Sequence, residues 1–110
     1  MSYDFIILTS SKFDKSAYRL SKKYLSLPED LKVLKKNLTA EPLSGIPLGK
    51  NCYKIRIAIK SKQSGKSGGA RVITYVKVQN KRITLLDIYD KSEKENITDK
   101  ELEALIKSAP

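Results

Sequence analysis

The chain has 110 residues with no histidine, one cysteine, and 22 Lys and Arg against 12 Asp and Glu, a formal charge of +10. That length supports one hydrophobic core, so residues 1–110 are expected to fold as a single domain. One thiol without imidazole excludes an internal disulfide and an ordinary zinc site, leaves Cys52 with no base to activate it, and points to no metal and no cofactor.

"YDFIIL" at 3–8 reads as a first strand of β-branched and aromatic residues. Its apolar run is too short for a signal-peptide core or a membrane span, so a cytoplasmic, membrane-free protein is expected. A helix opens at Ser10 or Ser11, because Phe13, Ala17, Leu20 and Tyr24 recur at steps of three and four, with cations mostly on the other faces. Pro28 followed by Glu29 and Asp30 suits the first turn of a second helix, whose Leu31, Leu34 and Leu38 form an inward stripe. The two helices are expected to form a hairpin laid on a sheet. "EPLSGIPLGKN", with two prolines and two glycines, is expected to be irregular.

From Tyr53 the period becomes two: Tyr53, Ile55, Ile57 and Ile59 alternate with Lys54, Arg56, Ala58 and Lys60, predicting a half-buried strand with a basic outer face. The loop "KSKQSGKSGG" follows. Its Gly65-Lys66-Ser67 mimics the end of a phosphate-binding P-loop, but the position where that motif needs its first glycine is Lys60, and strand-like "RVITYVKV" follows where a helix should open. "ARVITYVKV", a turn through Gln79, Asn80 and Lys81, and "RITLLDIYD" complete an expected antiparallel meander, in which Leu85, Asp87, Tyr89 and Lys91 would share one face. Thr98 and Glu101 make a capping box for a last helix packing through Leu102, Leu105 and Ile106. The predicted fold is α+β, in the order β-α-α-β-β-β-α, with one twisted, mainly antiparallel sheet.

The ten basic residues from Lys50 to Arg82 have no acidic residue among them, and so many uncompensated cations call for a polyanion, with nucleic acid the leading candidate. Lys54, Arg56, Arg71, Tyr89 and Lys91 are the candidate reactive set. Without histidine or metal they could still cleave RNA, whose 2′-hydroxyl attacks its own adjacent phosphate. Arginine forks would stabilise charge on the phosphorane-like oxygens, and lysines crowded by other cations could move protons.

"YKIRIAIKSKQSGKSGGARVITYV" followed by "LLDIYDKSEKENIT" resembles the RelE/ParE superfamily of bacterial toxins, and most closely its HigB-like branch. The resemblance covers nearly the whole chain and implies a microbial-RNase-like fold. It also implies a toxin of a type II toxin-antitoxin system that enters the ribosomal A site and cuts messenger RNA there as an endoribonuclease. Carried over, Lys54, Arg56, Arg71 and Lys91 match the family's basic catalytic positions, and Tyr89 lies where an aromatic could stack on a base. Lys60, Lys62, Lys66 and Lys77 read as contacts to RNA and the ribosome, including 16S rRNA. RelE places a tyrosine further along its terminal segment where this chain has Ile97, so the resemblance leaves the general acid and base unassigned between Lys54 and Lys91. It also implies an antitoxin partner, often carrying a helix-turn-helix DNA-binding domain. The same superfamily includes ParE-like proteins that inhibit DNA gyrase without catalysis, and fold alone does not choose between them. A plain nucleic-acid-binding module is the blander third reading.

Overall fold

Residues 5–110 are described by the computed structural model, so Tyr3 and Asp4 of the expected first strand lie outside the described residues. The first strand, β1, is Ile6–Thr9, followed by helices α1 (Ser11–Lys23) and α2 (Leu27–Ala40). Four strands come next, β2 (Ile46–Gly49), β3 (Cys52–Ile57), β4 (Ala70–Lys77) and β5 (Arg82–Asp90), and helix α3 (Asp99–Lys107) closes the chain. The five strands form one sheet in the order β1-β5-β4-β3-β2. All neighbouring pairs are antiparallel except β1 with β5, which runs parallel.

The expected meander is present as β3-β4-β5, but the stretch expected to be irregular contributes a strand. Ile46 pairs with Lys54 and Pro47 with Tyr53 before the register slips. Pro47 has no N–H to donate, and an edge strand tolerates that loss because its outer side needs no ladder partner. The strand predicted to run to Lys60 ends at Ile57, opposite Ala70, where its partner β4 begins. Gly69 explains the tight exit: a Cβ there would stand 2.0 Å from the Ile57 carbonyl oxygen, so only glycine lets the two backbones pass.

The sheet separates two apolar clusters. On one side α1 and α2 cover Ile55, Ile57, Val72, Val76, Ile83, Leu85 and Ile88 with Phe13, Leu20, Leu34 and Leu38. On the other, α3 lays Leu102 and Leu105 over Cys52, Ile73, Leu86 and Tyr89. Its start carries the predicted capping box, with Thr98 Oγ1 accepting from Glu101 N–H at 3.1 Å and Glu101 Oε1 from Thr98 N–H at 3.0 Å.

The expected common face of Leu85, Asp87, Tyr89 and Lys91 does not exist, because β5 carries a β-bulge. Ile73 pairs with Asp87 and Thr74 with Leu85, leaving Leu86 as the extra residue. Leu85 therefore packs with the helices while Tyr89 packs with α3. Helix α1 holds the bulge. Its N-cap Ser10 accepts from Phe13 N–H at 3.0 Å and donates its hydroxyl to the Leu86 carbonyl at 2.9 Å, and Ser16 donates to Asp87 Oδ1 at 2.8 Å. The same carboxylate oxygen takes the Ile88 N–H at 2.9 Å. Replacing Asp87 by Ala should therefore orphan two buried donors and cost about 2–4 kcal/mol. Urea unfolding should show a lower midpoint with an unchanged slope, and a loss under about 0.5 kcal/mol, the size of an ordinary surface change, would refute the role.

Candidate functional site

The face opposite α1 and α2 gathers most of the candidate residues. Arg56 in β3 is in register with Arg71 in β4, and Arg71 with Tyr89 in β5, so the three stand in one row across the sheet. Lys54 is two residues from Arg56 on the same face, opposite Ile73. Lys91 continues the ladder beyond β5, its N–H donating to the Gly69 carbonyl at 3.1 Å, which places it next in phase with Tyr89. The bulge makes this row possible, since the unbroken alternation expected for β5 would have set Tyr89 and Lys91 on the helix side.

The members of the row differ in environment. Arg56 is exposed. Arg71 is only 3% exposed and is committed to the glycine-rich loop: Nη1 donates to the Lys66 carbonyl at 2.9 Å and the Ala70 carbonyl at 3.2 Å, and Nη2 to the Ser67 carbonyl at 3.0 Å. Two of its bonds thus shape the loop and the third reaches the first residue of β4, so three of the five guanidinium N–H groups are spent within the protein. Tyr89 is buried and its hydroxyl has no hydrogen-bond partner among the described residues. Burial raises the Tyr89 pKa, against a smaller lowering by Arg71. Lys94 Nζ stands 5.5 Å from the Tyr89 ring centroid. Lys54 Nζ donates to Asn96 Oδ1 at 2.9 Å. Burial pushes the Cys52 thiol up to about 11, so it stays protonated at neutral pH and is a core residue.

The four further basic candidates do not converge in the same way. Lys60 and Lys66, with Arg56, line a groove of about 360 Å³ between α2 and β3, together with Leu34, Ile55 and Ile57. Lys77 pairs with Arg82 at the far end of β4, six residues from Arg71, about 20 Å at the strand rise. Lys62 is tied to Asp90 at 2.7 Å.

Asp90, which the sequence pattern did not single out, is wholly buried and accepts from Lys62 Nζ, from the Tyr24 hydroxyl at 2.5 Å and from Ser92 N–H at 3.0 Å. It pins the Lys60–Lys62 turn, the end of α1 and the exit of β5 together, directly between Tyr89 and Lys91. Its sequence signal was weak: a second acid, after Asp87, at the very end of a mostly apolar strand. Asn96 and Lys94, which touch Lys54 and Tyr89, lie in a polar stretch with no pattern to mark them.

A family model described as "RelE toxin of RelE / RelB toxin-antitoxin system" matches residues 29–110. The chain belongs to the RelE toxin family. A toxin of this family has an antitoxin as its partner. Among solved structures, the E. coli toxin RelE, as a double-arginine mutant in the free state, aligns with a TM-score of 0.60 and 15% identity over 96% of this chain and 94% of that one. At that identity the likeness supports the RelE-like fold alone. No curated protein sequence matches the chain. Among the described residues of this RelE-family chain no helix is long and apolar enough to cross a membrane.

The Asp90 cluster makes a pH prediction. Burial alone would raise its carboxyl pKa, but the bonds from Lys62, Tyr24 and Ser92 outweigh that and hold it well below the usual carboxylate range. A depressed folded-state pKa gives stability that is complete above the unfolded pKa, near 4, and declines as the pH drops below it. Asp90→Asn should cost about 3 kcal/mol at pH 7 and flatten the acid limb of the stability curve. Equal pH dependence in chemical unfolding of both proteins would rule this out.

Proposed function

We propose that this RelE-family toxin is a ribosome-dependent endoribonuclease that cuts messenger RNA in the A site, and so arrests translation. The observation that carries the reading is the row of Arg56, Arg71 and Tyr89, flanked by Lys54 and Lys91, on one face of the sheet. Such a face offers a phosphodiester cations from separate strands, while Tyr89, buried against α3, supports the row and does not take up the base-stacking role the resemblance implied.

On this reading the 2′-oxygen attacks phosphorus as its proton passes to a base. The phosphorus–5′-oxygen bond breaks, and that oxygen takes a proton as it leaves, giving a 2′,3′-cyclic phosphate and a 5′-hydroxyl. Lys54 and Lys91 are the candidate proton-transfer groups. The exposed Arg56 presents its guanidinium to the developing charge, and Arg71 acts both there and on the loop that borders the site. Lys60 and Lys66, beside Arg56 on the groove, suit the RNA backbone on either side of the cut. The HigB-like sequence features and an antitoxin carrying a helix-turn-helix domain belong to the same proposal.

Purified protein added to programmed ribosomes should cut the messenger within an A-site codon, and a 2′-deoxy substitution at the scissile nucleotide should abolish the cut by removing the nucleophile. Arg56→Ala should slow cleavage by about 10²–10³-fold, the effect of losing one charge-stabilising donor, with unchanged thermal unfolding. Cleavage of the deoxy messenger, or toxicity that survives Arg56→Ala and comes with gyrase-linked DNA breaks, would overturn the proposal.

A further inference from the structure

The charge excess is not confined in space to the segment that carries it in sequence. Seven of the 12 acidic residues lie between Asp87 and Glu103, while α1 has five cations and only Asp14. Lys12, Lys15, Arg19 and Lys22 recur at steps of three, four and three, which puts them in one exposed stripe along the helix, with Lys23 beside it. Arg19 is held by Glu93, Nη1 to Oε2 at 3.0 Å. Lys12, Lys15, Lys22 and Lys23 have no carboxylate within ion-pair distance among the described residues. Tyr18 stands in the same stripe, 66% exposed, with Lys22 Nζ 4.5 Å from its ring centroid.

This surface belongs to the helical layer, and the row of Arg56, Arg71 and Tyr89 lies on the other face of the sheet. A messenger strand held at that row would have to round the sheet to reach α1. A lone aromatic in a lysine stripe offers little apolar area for a protein partner, and lysine is depleted at protein interfaces. It does match RNA, where lysines take phosphates and an aromatic takes the face of an unpaired base.

We infer that the outer face of α1 is a second RNA-binding surface that seats on folded ribosomal RNA, with phosphates at Lys12, Lys15, Lys22 and Lys23 and a base against Tyr18. The inference rests on the ribosome-dependent reading above and adds an anchoring surface remote from the cut. It accounts for why a cleavage face alone would not suffice: the protein is held from behind while the messenger lies in front.

The test is sedimentation of the purified protein with ribosomes lacking messenger, across a salt series, so that no cleavage enters the measurement. The variant K12Q/K15Q/K22Q/K23Q should bind at least tenfold more weakly near 0.1 M salt, and its plot of log affinity against log salt should be shallower by about 3, at roughly 0.7–0.9 for each phosphate no longer neutralised. Tyr18→Ala should weaken binding severalfold with the slope kept. Both variants should melt with the wild type, and both should reach the wild-type cleavage rate once ribosomes are saturating. A quadruple variant with wild-type affinity and slope would overturn the inference and leave the proposed nuclease standing, as would a loss seen only in antitoxin binding. Wild-type protein that fails to bind ribosomes at all would overturn both.

Discussion

Leu86 has no opposite number in the β4 ladder, and the arrangement of the site depends on that mismatch. With regular alternation, Ile83, Leu85, Asp87, Tyr89 and Lys91 would all face α1 and α2. The extra residue reverses the phase, so Leu85 still closes the helical core while Tyr89 turns to the other side, into register with Arg71 and Arg56. A bulge leaves backbone groups without ladder partners, and buried groups of that kind destabilise a fold unless something else satisfies them. Here the Leu86 carbonyl takes the hydroxyl of the distant Ser10, and the Ile88 N–H goes to Asp87 Oδ1, a carboxylate held in place by the equally distant Ser16. Helix α1 therefore does two jobs: it covers the core, and it fixes the strand distortion that brings an aromatic to the cationic face.

A face of uncompensated cations repels itself, and the distribution of the acids shows how the chain tolerates it. The carboxylates of the 87–103 stretch are directed to cations around the face. Asp90 takes Lys62, Glu93 takes Arg19, Glu101 takes Lys94 and Glu103 takes Lys50. The Lys94 bond, first, with the Thr98 N–H holds the Glu101 carboxyl at about 2. These pairs tie α3, α1 and the loop to the strand ends, and the pair at Asp90 is the buried one, where geometry is most constrained. Arg71 is steadied differently, by carbonyl dipoles of the loop it organises. The charge is thus held in place without being cancelled where a phosphate would bind.

How far the sequence revealed this follows from the range of each interaction. Local signals were reliable: the 3.6-residue spacing of Phe13 and Leu20, the Thr98–Glu101 box and the period-two run from Tyr53 all lie where the residues themselves dictate. Arg56, Lys54 and Arg71 share a face because β3 and the start of β4 alternate without interruption, a pattern that local sequence displays. The edge strand β2 was missed because Pro and Gly argue against a strand until one knows that its outer side is free of partners. The bulge was missed because nothing local distinguishes the pair Leu85-Leu86 in an apolar run; its cause is the distant serines. The Asp90 cluster was hidden for the same reason, since Tyr24, Lys62 and Asp90 meet only in three dimensions.

The distribution of charge also bears on the proposed dependence on the ribosome. Its body is only 22 Å across in its thinnest direction, with cations on the sheet face in front and on α1 behind. A free single strand can engage one of these surfaces at a time, and each alone has the modest, salt-sensitive affinity of a few neutralised phosphates. A site walled by RNA on both sides engages the two together. The second surface then binds at an effective concentration set by the wall spacing, and overall affinity can rise by orders of magnitude without any new chemistry at the cleft. On this account the selectivity for a translating complex lies in the two-sided fit of a thin cationic body. Under the proposed function, the sheet face would then need only enough affinity to orient the one phosphodiester it meets.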